Sequence, residues 1–300
     1  MTLYRTTPCA ALLAAALLAM SPAAGCAQNA SLTPPSQAAN YHGLLVQQFR
    51  AVAFDAEFQP SAQARPRGRI IKWTGPVRAQ LFGTRARAYA AEVESHLKAL
   101  RRLTGLDIRL LGPDEMGENM KIFIMPWREF PAIPGGGQCF TVADYYTSGP
   151  RAFAINAATV QIAEEEDYRR ERCQADAGAA GGQRCRTELV GKLRRHCIVE
   201  ELTQALGLTN DSGVFADSIF NDEYHGTRLE AWDAMMVLTL YQPSLLPGMT
   251  VNDALPIAAR FMRDIVDSER AARVAGQPPA PPQQGSSATS SGPMPRAPAR

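Results

Sequence analysis

Apolar positions along the chain switch between a period near 3.6 and a period of two, and these switches divide it into helices and strands. Leu44, Leu45, Phe49 and Val52 make a short helical stripe within 41–54. After a loop with Pro60, Pro66 and Gly68, the apolar run from Arg69 to Leu81 predicts a first strand, kinked at Gly75-Pro76. From Thr84 to Leu103, Tyr89, Val93, Leu97 and Leu100 share one helical face, and Gly105 supplies a C-terminal stop. Asp107 to Leu111 and Met120 to Met125 read as two more strands, and Gly149 to Ala163 alternates as a half-buried edge strand does. Helical spacing returns in 229–241 and 251–272, the latter with Leu255, Ile257, Phe261 and Ile265 on its apolar side.

The two ends depart from this pattern. Arg5, the short apolar run Ala10 to Met20 and the small residues after it predict a signal peptide over 1–25, since the run is too short to span a bilayer. Ala23-Ala24-Gly25-Cys26 resembles a bacterial lipobox, in which Cys26 is lipidated; ordinary cleavage nearby is the rival. A polar tether follows over 26–40, then one domain over 41–274, with its upper lobe ending near 207. The Pro/Ser/Gly-rich tail 275–300 lacks apolar anchors and is expected to be disordered. The expected destination is the bacterial cell envelope, as a periplasmic protein or a lipoprotein anchored to the membrane through Cys26.

An exported chain is free to form disulfides. With Cys26 lipidated, Cys139, Cys173, Cys185 and Cys197 remain as an even set, for which three pairings exist. Cys173 and Cys185 bracket a Gly/Ala-rich loop that Cys139 and Cys197 flank, so the nested pairing is the first choice. The charge balance, 31 basic against 29 acidic residues, gives no basic face for a nucleic-acid partner.

The segment from Glu200 to Asn210 carries the most chemistry. It has the spacing H-E-x-x-H-x-x-G-x-x-H with Glu201 and Gly207 kept and Glu200, Gln204 and Asn210 at the three histidine positions. Around it, Asp217-Ser218-Ile219-Phe220 is similar to a Met-turn with Phe220 in place of methionine, and Leu229 to Tyr241 to a matrixin closing helix with its internal aspartate. The chain therefore resembles degenerate metzincin zinc proteases. It also resembles a family of uncharacterised secreted bacterial proteins that carries the run from His196 to Leu208. The resemblance implies an α+β, zincin-like fold: a small mixed sheet, an active-site-type helix and a mostly helical C-terminal lobe. It also implies that 200, 204 and 210 are vestigial ligand positions and that Glu201 is the general base only if the protein is active.

The residues themselves favour a different use of these positions. Glutamine and asparagine bind zinc poorly but bridge buried polar groups well. His196, Glu200 and Gln204 lie one turn apart, so a hydrogen-bonded row is expected there, with His196 as a substitute ligand in the rival metal reading. Asn210, Asp211, Asp217, Asn221 and Asp222 supply oxygen donors without EF-hand spacing, a pattern more typical of turns than of calcium sites. His42, His96 and His225 read as scattered; His225 could approach the vestigial cleft, but a surface role is the first choice. Trp73, Trp127 and Trp232 read as core. Gly135-Gly136-Gly137 marks a loop with no phosphate-binding fingerprint. No Gly-x-Ser-x-Gly elbow is present. The expected function is a non-catalytic binding or scaffold module for an unknown protein or cell-wall partner, with no cofactor. The alternative is a metallohydrolase with a non-standard metal site and Glu201 as base.

Overall fold

Strand and helix formation follow the alternation of apolar and polar positions, and the result is a mixed α/β fold with a mostly parallel sheet. A computed structural model describes residues 40–57, 68–84, 86–131, 138–163 and 187–274, all within one compact unit. In chain order the elements are α1 (Tyr41–Phe54), β1 (Lys72–Trp73), β2 (Val77–Phe82), α2 (Ala86–Thr104), β3 (Ile108–Leu110), β4 (Met120–Met125), β5 (Cys139–Tyr145), β6 (Ala154–Ala163), α3 (Thr187–Gln204), α4 (Ala231–Tyr241) and α5 (Val251–Val274).

The sheet runs β1-β6-β4-β2-β3, all parallel, with β5 added antiparallel along β6. The run from Arg69 to Leu81 is not one kinked strand. Pro76 has no N–H to give to a ladder, so the chain leaves the sheet at Gly75-Pro76 and re-enters it elsewhere. Lys72 and Trp73 pair with β6, while Val77 onward lies between β3 and β4. Nor is β6 an edge: β5 runs along one side, and β1 and then β4 pair with the other. Alternation reports which face of a sheet is covered, not whether a strand's hydrogen-bonding edge is free.

Helix α2 buries Tyr89, Val93, Leu97 and Leu100 and stops at Gly105, whose φ of 69° is the left-handed conformation that ends helices. His96, buried on the same face, reaches Thr203 Oγ1 of α3 at 3.0 Å. Helix α4 is apolar nearly all round, with Ala234 to Leu240 buried, so it sits inside the core. Phe220 is fully buried in the turn before it. That turn is fixed by Asp233, which is fully buried. It accepts hydrogen bonds from Ser218 Oγ (2.6 Å), Glu230 N (2.9 Å) and Ile219 N (3.3 Å).

The end of α3 is held tightly. Trp73 Nε1 donates to the Ala205 carbonyl at 2.9 Å and Tyr241 Oη to the Leu206 carbonyl at 2.8 Å, satisfying acceptors that a helix end leaves open. Gly207 then adopts φ 113°, and a Cβ there would overlap the Ile71 carbonyl oxygen. We expect Gly207→Ala to lose about 3 kcal/mol or more in urea denaturation, because strain and backbone overlap add. Gly213→Ala, at a site with open space and no positive φ, should stay within about 0.5 kcal/mol.

Candidate functional site

Helical geometry puts His196, Glu200 and Gln204 on one face of α3, but they do not form a continuous row. His196 Nε2 lies 3.1 Å from Glu200 Oε2, and Nδ1 lies 3.1 Å from the Gly226 carbonyl. A carbonyl only accepts, so Nδ1 carries a proton. Burial pulls the His196 pKa down, but the Glu200 hydrogen bond and charge, with the Gly226 carbonyl, outweigh it and raise it. Both ring nitrogens thus face acceptors, the arrangement that favours the imidazolium. Gln204 turns away from this pair and donates from Nε2 to Asp211 Oδ1 at 2.9 Å, while Asn210 Nδ2 donates to the Asp211 carbonyl at 2.8 Å.

Asp211 is the centre of a second group of carboxyls. Glu57 and Asp222 are both within hydrogen-bonding reach of it. Burial, then the charges of Glu200 and Glu57 and the contact with Asp222, push the Asp211 carboxyl up to about 10. Partial loss of solvent raises Glu57 to about 7 although the residue keeps an exposed face, with the hydrogen bond to Asp211 opposing and the charges of Glu200 and Asp222 adding to the rise. Two neighbouring carboxyls that share a proton behave this way. Glu57 arrives because the end of α1 docks on the loop after α3, through Glu57 N to the Thr209 carbonyl (3.1 Å) and Thr209 Oγ1 to the Asp55 carbonyl (3.0 Å). No motif in the sequence points to Glu57. Of the other oxygen donors, Asp217 is exposed and Asn221 bonds the carbonyls of its own turn.

Glu201 faces a different neighbourhood and is 2% exposed. Burial first, then the charges of Glu200 and Glu57, push its carboxyl well above the usual 4.5, with a Thr141 hydrogen bond opposing. Its Oε2 is buried with no hydrogen-bond partner among the described residues. Strand β5 lies across this part of the helix: Thr141 Oγ1 donates to the Glu201 carbonyl at 2.9 Å, and Cys139 is disulfide-bonded to Cys197. That pairing is the outer bridge of the nested scheme. Cys26, Cys173 and Cys185 lie outside the described residues.

His225 belongs to the site, not to the surface. Its ring is 5.6 Å from that of His196, its Nδ1 is buried without a partner among the described residues, and burial with the charge of His196 lowers its pKa. His42 bonds the Ala259 carbonyl elsewhere. Trp73 is core, Trp232 is half-buried and stacks on Phe215, and the Trp127 side chain is outside the described set.

A model of the family described as protein of unknown function (DUF2927) matches residues 43–260, a span that holds His196, Glu200, Glu201, Gln204, Asp211 and Glu57. The chain belongs to that family. No curated protein matches it.

The zinc that the protease resemblance implies does not fit the three motif positions of this family member. Glu200 is engaged by His196, and Gln204 and Asn210 spend their N–H groups on Asp211. None of the three is an imidazole or a thiolate, the donors that dominate zinc sites.

An acid whose folded pKa lies above its unfolded value stabilises the fold below the unfolded value. That contribution is lost as pH rises through the folded one. Glu201, Asp211, Glu57 and Asp233 (about 7) are all raised, so urea midpoints should fall between pH 5 and pH 8. Glu201→Gln removes one such cost. The variant should be more stable than the parent by on the order of 1 kcal/mol at pH 8, and the gap should close by pH 4. A variant weaker than the parent at pH 8 would mean that ionised Glu201 stabilises the fold.

Proposed function

We propose that the protein is an exported, non-catalytic binding or scaffold module of the bacterial cell envelope, built on a degenerate metzincin-like fold. It presents the former substrate cleft to a protein or cell-wall partner, with Cys26 as a lipid anchor. The order of two strands, helix, four strands, motif helix, turn and buried closing helix supports the fold. So does Gly207, at the sharp exit from the motif helix. The Cys139–Cys197 disulfide is compatible with an oxidising compartment. Among the described residues no helix is long and apolar enough to cross a membrane.

The observation that carries the reading is that the polar groups at 200, 204 and 210 are turned onto protein partners. A metallohydrolase would need imidazole, thiolate or carboxylate donors directed at the metal from these positions, and it would need a base that is ionised near neutral pH. Burial instead pushes the Glu201 carboxyl well above its usual range. The rival, a metallohydrolase with Glu201 as base and His196 or Glu200 as a ligand, draws on one fact: Glu201 Oε2 has no hydrogen-bond partner among the described residues.

Two measurements separate these readings. Protein purified in its disulfide form, without chelators, should contain no stoichiometric zinc. One equivalent per chain, lost on mutating Glu200 or His196, would establish the rival. In a deletion strain, Glu201→Gln at matched abundance should restore the parental phenotype, because no proton transfer depends on it. In a hydrolase the same change would cost about 10²–10⁴-fold in rate, and a null phenotype from a folded, exported variant would sink the binding-module proposal.

A further inference from the structure

We infer that the Cys139–Cys197 disulfide masks a second kind of metal site. When the disulfide is reduced, the Cys139 thiolate and the carboxylates of Glu200 and Glu201 together take up a thiophilic divalent cation such as Zn²⁺. Three observations converge on these atoms. Cys139 Sγ and one carboxylate oxygen from each glutamate all lie within 4.8 Å of one another. Glu201 is 2% exposed, and its Oε2 has no hydrogen-bond partner among the described residues. The sulfur is held against the pair by the bond to Cys197, which is itself 1% exposed.

This set is not the motif set. Gln204 and Asn210 take no part, and the strongest donor comes from β5. In the oxidised protein the sulfur is neutral and bonded to Cys197, so the two carboxyls lack the soft donor that selects zinc over magnesium or calcium. Glu200 has the His196 ring 3.1 Å away, while the buried Glu201 Oε2 has no hydrogen-bond partner among the described residues. Reduction changes the balance. A thiolate beside two carboxylates adds negative charge to a buried site, and a divalent cation neutralises it where solvent cannot. One thiolate and two carboxylates are an acceptable zinc donor set, with one position open.

The chemistry balances with a dithiol as the reductant. One thiolate of the dithiol attacks Sγ of Cys139, a half-buried residue, and expels the Cys197 thiolate, which takes a proton. The second thiol of the reagent attacks the mixed disulfide and closes its own ring, releasing Cys139. The dithiol is oxidised by two electrons and the protein disulfide is reduced by two. Binding M²⁺ then displaces one proton from Cys139 and one from Glu201. Exchange of this kind depends on access and thiol pKa, and the bound metal in turn holds Cys139 away from reoxidation.

The test uses the full chain with Cys9, Cys26, Cys173 and Cys185 replaced by serine, so that only the relevant pair remains. Zinc is measured by equilibrium dialysis and elemental analysis after anaerobic removal of a small dithiol. The oxidised chain should bind no zinc and the reduced chain one per molecule. Cys197→Ser frees Cys139 permanently and should bind one without any reductant. Cys139→Ser should bind none in either state. Glu201→Gln should weaken binding by more than the roughly tenfold that loss of a supporting group costs. Co²⁺ in place of zinc should show a thiolate charge-transfer band in the parent and in Cys197→Ser, and none in Cys139→Ser. The inference is overturned if the reduced chain binds no zinc, or if reduced Cys139→Ser binds it as the parent does. It is also overturned if Cys197→Ser, folded by circular dichroism, binds none.

Discussion

The arrangement of the site depends on how α3 ends. At Gly207 the chain passes so close to the Ile71 carbonyl that no side chain fits. Trp73 and Tyr241 hold the two carbonyls just before it. Trp73 N also donates to Tyr241 Oη at 3.1 Å, so β1, α3 and the end of α4 are stitched at one point. Lys72 adds to this joint. Its buried ammonium donates to the Leu240 and Leu245 carbonyls at 2.9 and 2.6 Å, and burial lowers its pKa to about 8. With α3 fixed there, β5 across its preceding turn and α2 beside it, the direction of every side chain from His196 to Gln204 is determined.

That fixed direction creates an electrostatic problem that the fold solves locally. Adjacent glutamates at 200 and 201 both enter the interior. Glu200 is answered by an imidazolium one turn earlier, and Glu201 by a proton. Asp211 and Glu57 face the same shortage of positive charge and also keep protons beyond the usual range for carboxyls. Buried charge is tolerated when it is paired or neutralised, and here neutralisation carries most of the load. The same shortage would make the site receptive to a cation once a stronger donor than the amides is exposed. This is why the disulfide, not the motif, is the natural switch.

Much of this was legible in the sequence, and the parts that were not have physical reasons. The α2 stripe, the Gly105 stop and the helix over 41–54 rest on side-chain periodicity, which survives folding unchanged. The His196–Glu200 pair follows from a four-residue spacing, and the Cys139–Cys197 bridge from nesting. Sheet order is different, because it is set by backbone edges that leave no mark on side chains. Hence β6 reads as an edge although it is interior, and β5, the actual antiparallel addition, passes unnoticed after a glycine-rich loop. The break at Gly75-Pro76 is visible, but not that it moves the strand to another place in the sheet. Glu57 and His225 join the site through contacts distant in sequence or set by a loop, and no local pattern encodes these.

The claim that the site is closed by its own hydrogen bonds is tested most directly at His196. In the disulfide-bonded protein, ¹⁵N NMR of the imidazole should show both ring nitrogens protonated at pH 7, with shifts unchanged by added Zn²⁺. A neutral ring at pH 7, or a nitrogen resonance that moves as zinc is titrated in, would contradict the account. It would mean that His196 is available to a metal and not committed to Glu200 and Gly226.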